Sequence, residues 1–169
     1  MGDFEIKQKI TPTLMFVGDQ CGNAEEAVRF YTTIFGHSGV GNILRYGEDA
    51  TPNKSSMIQH VDFILNNQVF AAMDSAYEHG FTFNEAISFV VKCDTQEEID
   101  YYWDKLSAIP EAEQCGWLKD RYRFSWQIVP TIMNDMMQNK DAKKLTQVTE
   151  AFLTMKKFDI AELIKAYEK

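Results

Sequence analysis

Two stretches decide the fold: Asn23-Ala24-Glu25-Glu26-Ala27-Val28-Arg29-Phe30-Tyr31 and Thr95-Gln96-Glu97-Glu98-Ile99-Asp100-Tyr101-Tyr102-Trp103. Each follows an apolar, strand-like run, opens with Asn or Thr, and carries a Glu three residues on. An Asn or Thr in that place can accept from first-turn amides while the Glu reaches back, which marks a capped helix start. An aromatic pair stands at the same offset in both, Phe30-Tyr31 and Tyr102-Trp103. A strand followed by a capped helix, given twice, predicts a pseudo-symmetric protein of two similar modules. In such a protein the cleft between modules is the expected place for a site.

Outward from the first cap, Ile10 to Val17 reads as a strand and Gly18 to Gly22 as a loop. The helix from Ala24 to about Phe35 sets Ala27, Phe30, Tyr31 and Ile34 on one face, and Gly36 ends it. Val40 to Tyr46 reads as a strand and Gly47 to Ser55 as a polar loop. Met57 to Leu65 and Val69 to Met73 flank Asn66-Asn67-Gln68, a hairpin signature because Asn tolerates positive φ. The second half repeats the order, with a strand at Ala86 to Cys93, a helix at Thr95 to Leu106, and strands at Gln114 to Lys119 and Phe124 to Val129. A further short strand before Gln114 is only faintly signalled. After Pro130 the pattern turns helical at Ile132 to Met137, Ala142 to Met155 and Ile160 to Tyr167, with Asp159 as cap of the last. Leu145, Val148, Phe152 and Met155 form an amphipathic stripe suited to covering a sheet face. The fold class is therefore α+β. It comprises one domain of paired βαβββ modules, at 8–76 and 84–130, with a C-terminal helical extension at 131–169.

A chain of 169 residues buries roughly 70% of its unfolded surface, enough for a core without staples. The net charge of −8 and pI near 4.9 argue against nucleic acid as a partner, since phosphate binding needs clustered Lys and Arg. No stretch approaches the ~20 apolar residues of a membrane span. Met1-Gly2-Asp3-Phe4-Glu5 is acidic and lacks a signal-peptide core, so a cytoplasmic protein is expected. Cys21, Cys93 and Cys115 are widely spaced, with no CxxC, and read as thiols rather than a disulfide framework or a zinc site.

Several strings, taken in order, carry a resemblance: Ile10-Thr11-Pro12, Ala24-Glu25-Glu26-Ala27 with Phe30-Tyr31, Arg45-Tyr46-Gly47, Ala86-Ile87-Ser88-Phe89, Cys93-Asp94-Thr95-Gln96-Glu97-Glu98, Gln114-Cys115-Gly116-Trp117-Leu118-Lys119-Asp120, Ser125-Trp126-Gln127-Ile128-Val129-Pro130 and Met155-Lys156-Lys157-Phe158-Asp159-Ile160. They resemble the vicinal oxygen chelate superfamily of glyoxalases, extradiol dioxygenases and bleomycin-resistance proteins. Within it they resemble the PhnB-like branch, whose domain carries the name 3-demethylubiquinone-9 3-methyltransferase. The resemblance implies paired βαβββ modules curled around a cleft and, commonly, a homodimer. It also implies that metal-using members draw His and Glu ligands from the first and last strands of each module. Those positions fall here near Pro12, Ala71, Ser88 and Gln127. Pro and Ala offer no side-chain donor, and Ser and neutral Gln are poor ligands beside imidazole and carboxylate. No cofactor is therefore expected, and metal chemistry is disfavoured. Methyl transfer from S-adenosylmethionine also lacks its usual support, since no glycine-rich turn feeds a helix in a doubly wound sheet.

Other residues could carry chemistry. His60 and Asp62 alternate onto one face of a strand, giving an imidazole beside a carboxylate, a usable general base. His79 lies in the polar connection between modules, and His37 follows a helix end. His60, Asp62 and His79 are the catalytic candidates. Trp117, Trp126, Phe16 and Phe70 could line a pocket for a flat or apolar molecule, with Ser88 and Gln127 orienting it. The same aromatics also suit a core. Two functions remain open: a protein that binds a small, partly apolar or aromatic molecule without metal, and a lyase, isomerase, dioxygenase or methyltransferase acting on a small oxygenated substrate.

Overall fold

A computed structural model describes residues 8–169, so Met1–Glu5, on which the expectation about a leader rests, lies outside the described residues. The chain divides into two compact units, one ending at Thr82 and one beginning at Phe83.

The first unit runs β1 (Thr13–Phe16), α1 (Ala24–Ile34), β2 (Gly39–Arg45), β3 (Ile58–Leu65) and β4 (Gln68–Asp74). Its sheet has the order β1-β4-β3-β2, with β1 parallel to β4 and the other pairs antiparallel. Strand alternation decides the faces. Leu14, Phe16, Val61, Phe63, Phe70 and Ala72 are buried, and α1 adds Ala27, Val28, Tyr31 and Ile34 to the same core. Phe63 and Phe70 are directly paired across the strands, with rings stacked at 5.6 Å. Asn66 and Asn67 take φ of 47° and 63°, as the hairpin requires.

One expectation fails locally. Asn23 does not cap α1: its backbone is already helical and its side chain makes no cap bond, donating instead to Gln20 Oε1 at 3.1 Å. The cap comes from Asp74, whose Oδ1 accepts from the amides of Gly22 (2.7 Å) and Ala24 (3.2 Å). Its Oδ2 accepts from Ile58 N–H at 2.9 Å. A carboxylate from the far end of β4 thus ties the helix start to β3, and it has no exposed surface.

The second unit runs β5 (Phe89–Cys93), α2 (Gln96–Leu106), β6 (Trp117–Lys119), β7 (Ser125–Pro130), α3 (Ile132–Met137), α4 (Ala142–Leu153) and α5 (Ile160–Tyr167). Here the cap is as the sequence predicts: Thr95 accepts from Glu98 N–H, while Glu98 Oε2 accepts from Asp94 N–H at 2.6 Å. The sheet has three strands, β5-β7-β6, rather than four. The segment before Gln114 makes a 3-10 turn at Pro110–Ala112, where Pro110 has no N–H to give a ladder. It still covers the outer edge of β6, with Ala108 N–H donating to Lys119 O at 3.0 Å and Gln114 and Trp117 exchanging backbone bonds.

The helical extension is bonded into this unit. Met155 O and Lys156 O accept from Cys115 and Gly116 N–H, each at 2.8 Å. Gln96 donates to Phe158 O at 3.1 Å and accepts from Ile160 N–H at 2.9 Å, and Lys157 pairs with Asp100 at 2.6 Å. Asp159 caps α5 through Glu162 N–H, as expected. Val148, Phe158 and Leu163 are buried.

Burial pushes the Cys93 thiol up, to about 12, with Glu98 and Asp94 adding to the effect. A raised thiol pKa favours folding fully below the unfolded value near 9 and loses that contribution as pH rises toward 12. The alkaline fall in stability between those limits should be shallower in Cys93→Ala than in the parent, read as urea midpoints across pH. Parallel slopes would remove the assignment.

Candidate functional site

The phase of β6 against β7 is set by two backbone bonds, Ile128 N–H to Gly116 O (2.8 Å) and Asp120 N–H to Phe124 O (3.1 Å). Leu118↔Trp126 is therefore a hydrogen-bonded pair, while Trp117↔Gln127 and Lys119↔Ser125 are not. Side chains stand closest in non-hydrogen-bonded pairs. One face of the sheet thus carries Trp117, Lys119, Ser125 and Gln127. Val90 joins them, since it pairs with Gln127 across β5. The opposite face carries Leu118, Trp126 and Ile128 into the core, where α2 packs with Ile99, Trp103 and Leu106.

This parity divides the aromatic candidates. Trp117 and Trp126 point to opposite faces. Trp126 is core: its ring packs edge-on to Phe89 and Phe124, and its indole N–H donates to buried Asp120 at 2.8 Å. Phe16 has no exposed surface, and Phe70 lies against Phe63 in the first unit. Ser88 and Gln127 do meet, with Gln127 Nε2 donating to Ser88 Oγ at 2.9 Å. Of the residues the sequence singles out for ligand contact, Trp117, Ser88 and Gln127 keep partial exposure on one face.

In the first unit, His60 Nε2 and Asp62 Oδ1 lie 3.1 Å apart on β3, both side chains about half exposed. His79 is not brought to them by any bond: its Nε2 is 2.8 Å from Ser75 Oγ, and its ring lies 5.0 Å from that of Phe81. His37 takes the left-handed backbone just after α1, with φ of 51°.

The four positions at which the resemblance places metal ligands, Pro12, Ala71, Ser88 and Gln127, offer a poor donor set for a divalent cation. Pro12 contributes only its carbonyl, which accepts from Ala71 N–H at 2.9 Å. Ala71 contributes a methyl group, and the Ser88 hydroxyl is engaged by Gln127. Among the described residues, no three His, Cys, Asp or Glu side chains converge.

Sequence reasoning missed one feature. A cavity of 340 Å³ lies beside β6, lined in part by Glu85, Ala112, Trp117, Lys119 and Ser125. Lys119 Nζ is paired with Glu85 Oε1 at 2.5 Å, and the ammonium holds the Glu85 carboxyl below its ordinary range. Alternation along Trp117-Leu118-Lys119 and Ser125-Trp126-Gln127 was the available signal. Without the register, it could not say that Lys119 faces Ser125.

Among the described residues, no helix is long and apolar enough to cross a membrane. No curated protein matches the chain. Among solved structures, the PhnB protein from Bacillus cereus is 40% identical, with a TM-score of 0.62, covering 73% of this chain and 100% of that one. Protein PA1353 from Pseudomonas aeruginosa is 19% identical with a TM-score of 0.55, covering 73% and 97%. The family described as 3-demethylubiquinone-9 3-methyltransferase matches over residues 8–129. Those residues contain both sheets up to Val129, both cap-and-helix units and the partly exposed Trp117-Gln127 face. The chain belongs to that family, the PhnB-like branch of the glyoxalase, or vicinal oxygen chelate, fold.

Proposed function

We propose that this protein binds a small, partly apolar molecule on the partly exposed Trp117-Gln127 face of the second sheet, without a divalent ion. The observation that carries it is the Trp117↔Gln127 pair, a flat aromatic surface directly beside an amide that Ser88 holds in place. With Nε2 committed to Ser88, the Gln127 carbonyl is aimed to accept from a ligand N–H or O–H. The ring supplies the apolar contact.

A screen of small aromatic compounds read by tryptophan fluorescence should give a ligand whose binding weakens about tenfold in Gln127→Ala, the effect of one well-made hydrogen bond. An affinity unchanged in Gln127→Ala and in Trp117→Leu would sink the proposal. Elemental analysis after loading with zinc, nickel, manganese and iron(II) should find no stoichiometric ion. One tightly held ion per chain would overturn the metal-free half.

A second function is favoured by the His60–Asp62 pair. An exposed imidazole 3.1 Å from a carboxylate can take a proton from a substrate carbon or hydroxyl. This enzyme reading requires turnover of an oxygenated substrate that is lost in His60→Ala, whereas a pure binder is indifferent to that change.

A further inference from the structure

The cavity beside β6 has a polar end that the Trp117-Gln127 face does not use. Ser125 has no exposed surface, yet its Oγ has no hydrogen-bond partner among the described residues. A hydroxyl left in that state is costly in a folded protein, and such groups are rare. Ser125 also lines the cavity. Its direct neighbour across the strands is Lys119, whose side chain is only 15% exposed. The Lys119 ammonium is held by Glu85, which is itself 62% exposed. A sheltered cation whose acid partner stands in water has a partner that can be exchanged. The remaining wall includes Ala112 and the Trp117 ring, which are apolar.

We propose that this cavity is a subsite for a small organic acid. The ligand carboxylate replaces Glu85 on Lys119 Nζ, its second oxygen accepts from Ser125 Oγ–H, and its apolar body lies against Trp117 and Ala112. One cation and one hydroxyl match a singly charged, planar carboxylate. A phosphate carries more charge and more acceptor oxygens than this wall can satisfy. The proposal deepens the ligand-binding reading and rests on it, sharing the Trp117 ring but drawing its polar contacts from Lys119 and Ser125 instead of Gln127. It names the charge of the ligand and the end of the face that receives it.

The test uses the full chain, ¹⁵N-labelled, titrated with benzoate, with its neutral counterpart benzamide, and with inorganic phosphate. Benzoate should shift the Lys119 and Ser125 amides and bind about tenfold tighter than benzamide, the scale of a hydrogen bond to a charged group. Lys119→Met should abolish that preference, and Ser125→Ala should weaken benzoate about fivefold. Glu85→Gln should tighten benzoate several-fold, because it removes the competing carboxylate. A gain of affinity is not something that damage to the fold can imitate. Equal affinity for benzoate and benzamide, preference for phosphate, or a Glu85→Gln variant no tighter than the parent would each overturn the subsite. Gln127→Ala separates the two proposals. If it leaves an aromatic ligand unaffected while the benzoate preference survives, the amide contact fails and the acid subsite stands.

Discussion

Gly116→Ala should lower the melting temperature by about 10 °C, from a destabilisation of roughly 4 kcal/mol. Gly116 sits at φ of 81°, where an L side chain is strained. A Cβ placed there would lie 2.4 Å from Phe158 Cε2 and 2.8 Å from Ile128 O. The first contact could relax by turning a ring. The second is backbone, and Gly116 O is simultaneously held by Ile128 N–H. Strand pairing and a methyl group cannot both be kept, so β6 must shift against β7 whatever Phe158 does. Gly116→Ala combined with Phe158→Ala should recover little, because Ile128 O and the positive φ remain. Thermal unfolding by circular dichroism decides it, and a loss under about 2 °C would mean that the turn adapts at small cost.

Asp74→Ala should be comparably damaging. The carboxylate satisfies three amides from two elements, Gly22 and Ala24 at the start of α1 and Ile58 at the start of β3. Replacing it strands those donors around a hole. Each unpaired buried group costs about 1–3 kcal/mol, so the sum reaches roughly 3–5 kcal/mol after partial access of water. Tyr46 O–H, which donates to the Asp74 carbonyl at 2.9 Å, survives the change because its acceptor is backbone. Urea unfolding at neutral pH gives the number. A loss below about 1 kcal/mol would show that water or a neighbour replaces the carboxylate.

Asp74 also shows where sequence reading stops. Thr95 caps its own helix through a bond three residues away, so the motif and the structure agree. Asn23 stands in the same motif, but Asp74 reaches the start of α1 from 50 residues downstream and takes its role. The local pattern was right about where the helix begins and silent about what caps it. The fold itself was legible because hydrophobic alternation and paired asparagines act over short range. The candidate face was only half legible. Trp117 and Trp126 are equally aromatic and lie on adjacent strands, and only the register sends one to the core and the other outward. Lys119 and Ser125 become a pair for the same reason. The three-strand second sheet follows from Pro110, whose effect on the ladder was present in the sequence but too weak to decide alone.

The two bonds from Cys115 and Gly116 to Met155 and Lys156 make the family-matched part of the chain and its helical extension report on each other. Those two amide protons exchange with solvent only when the extension lifts away or the whole unit opens. Their exchange rates, compared with those of Ile128 or Ile99 in the core, therefore measure how often residues 155–158 detach while the sheet stays intact. Cys115 also lines the cavity beside β6. A ligand held there would slow only the exchange that passes through opening of the whole unit, so the turn separates occupancy of the cavity from docking of the extension.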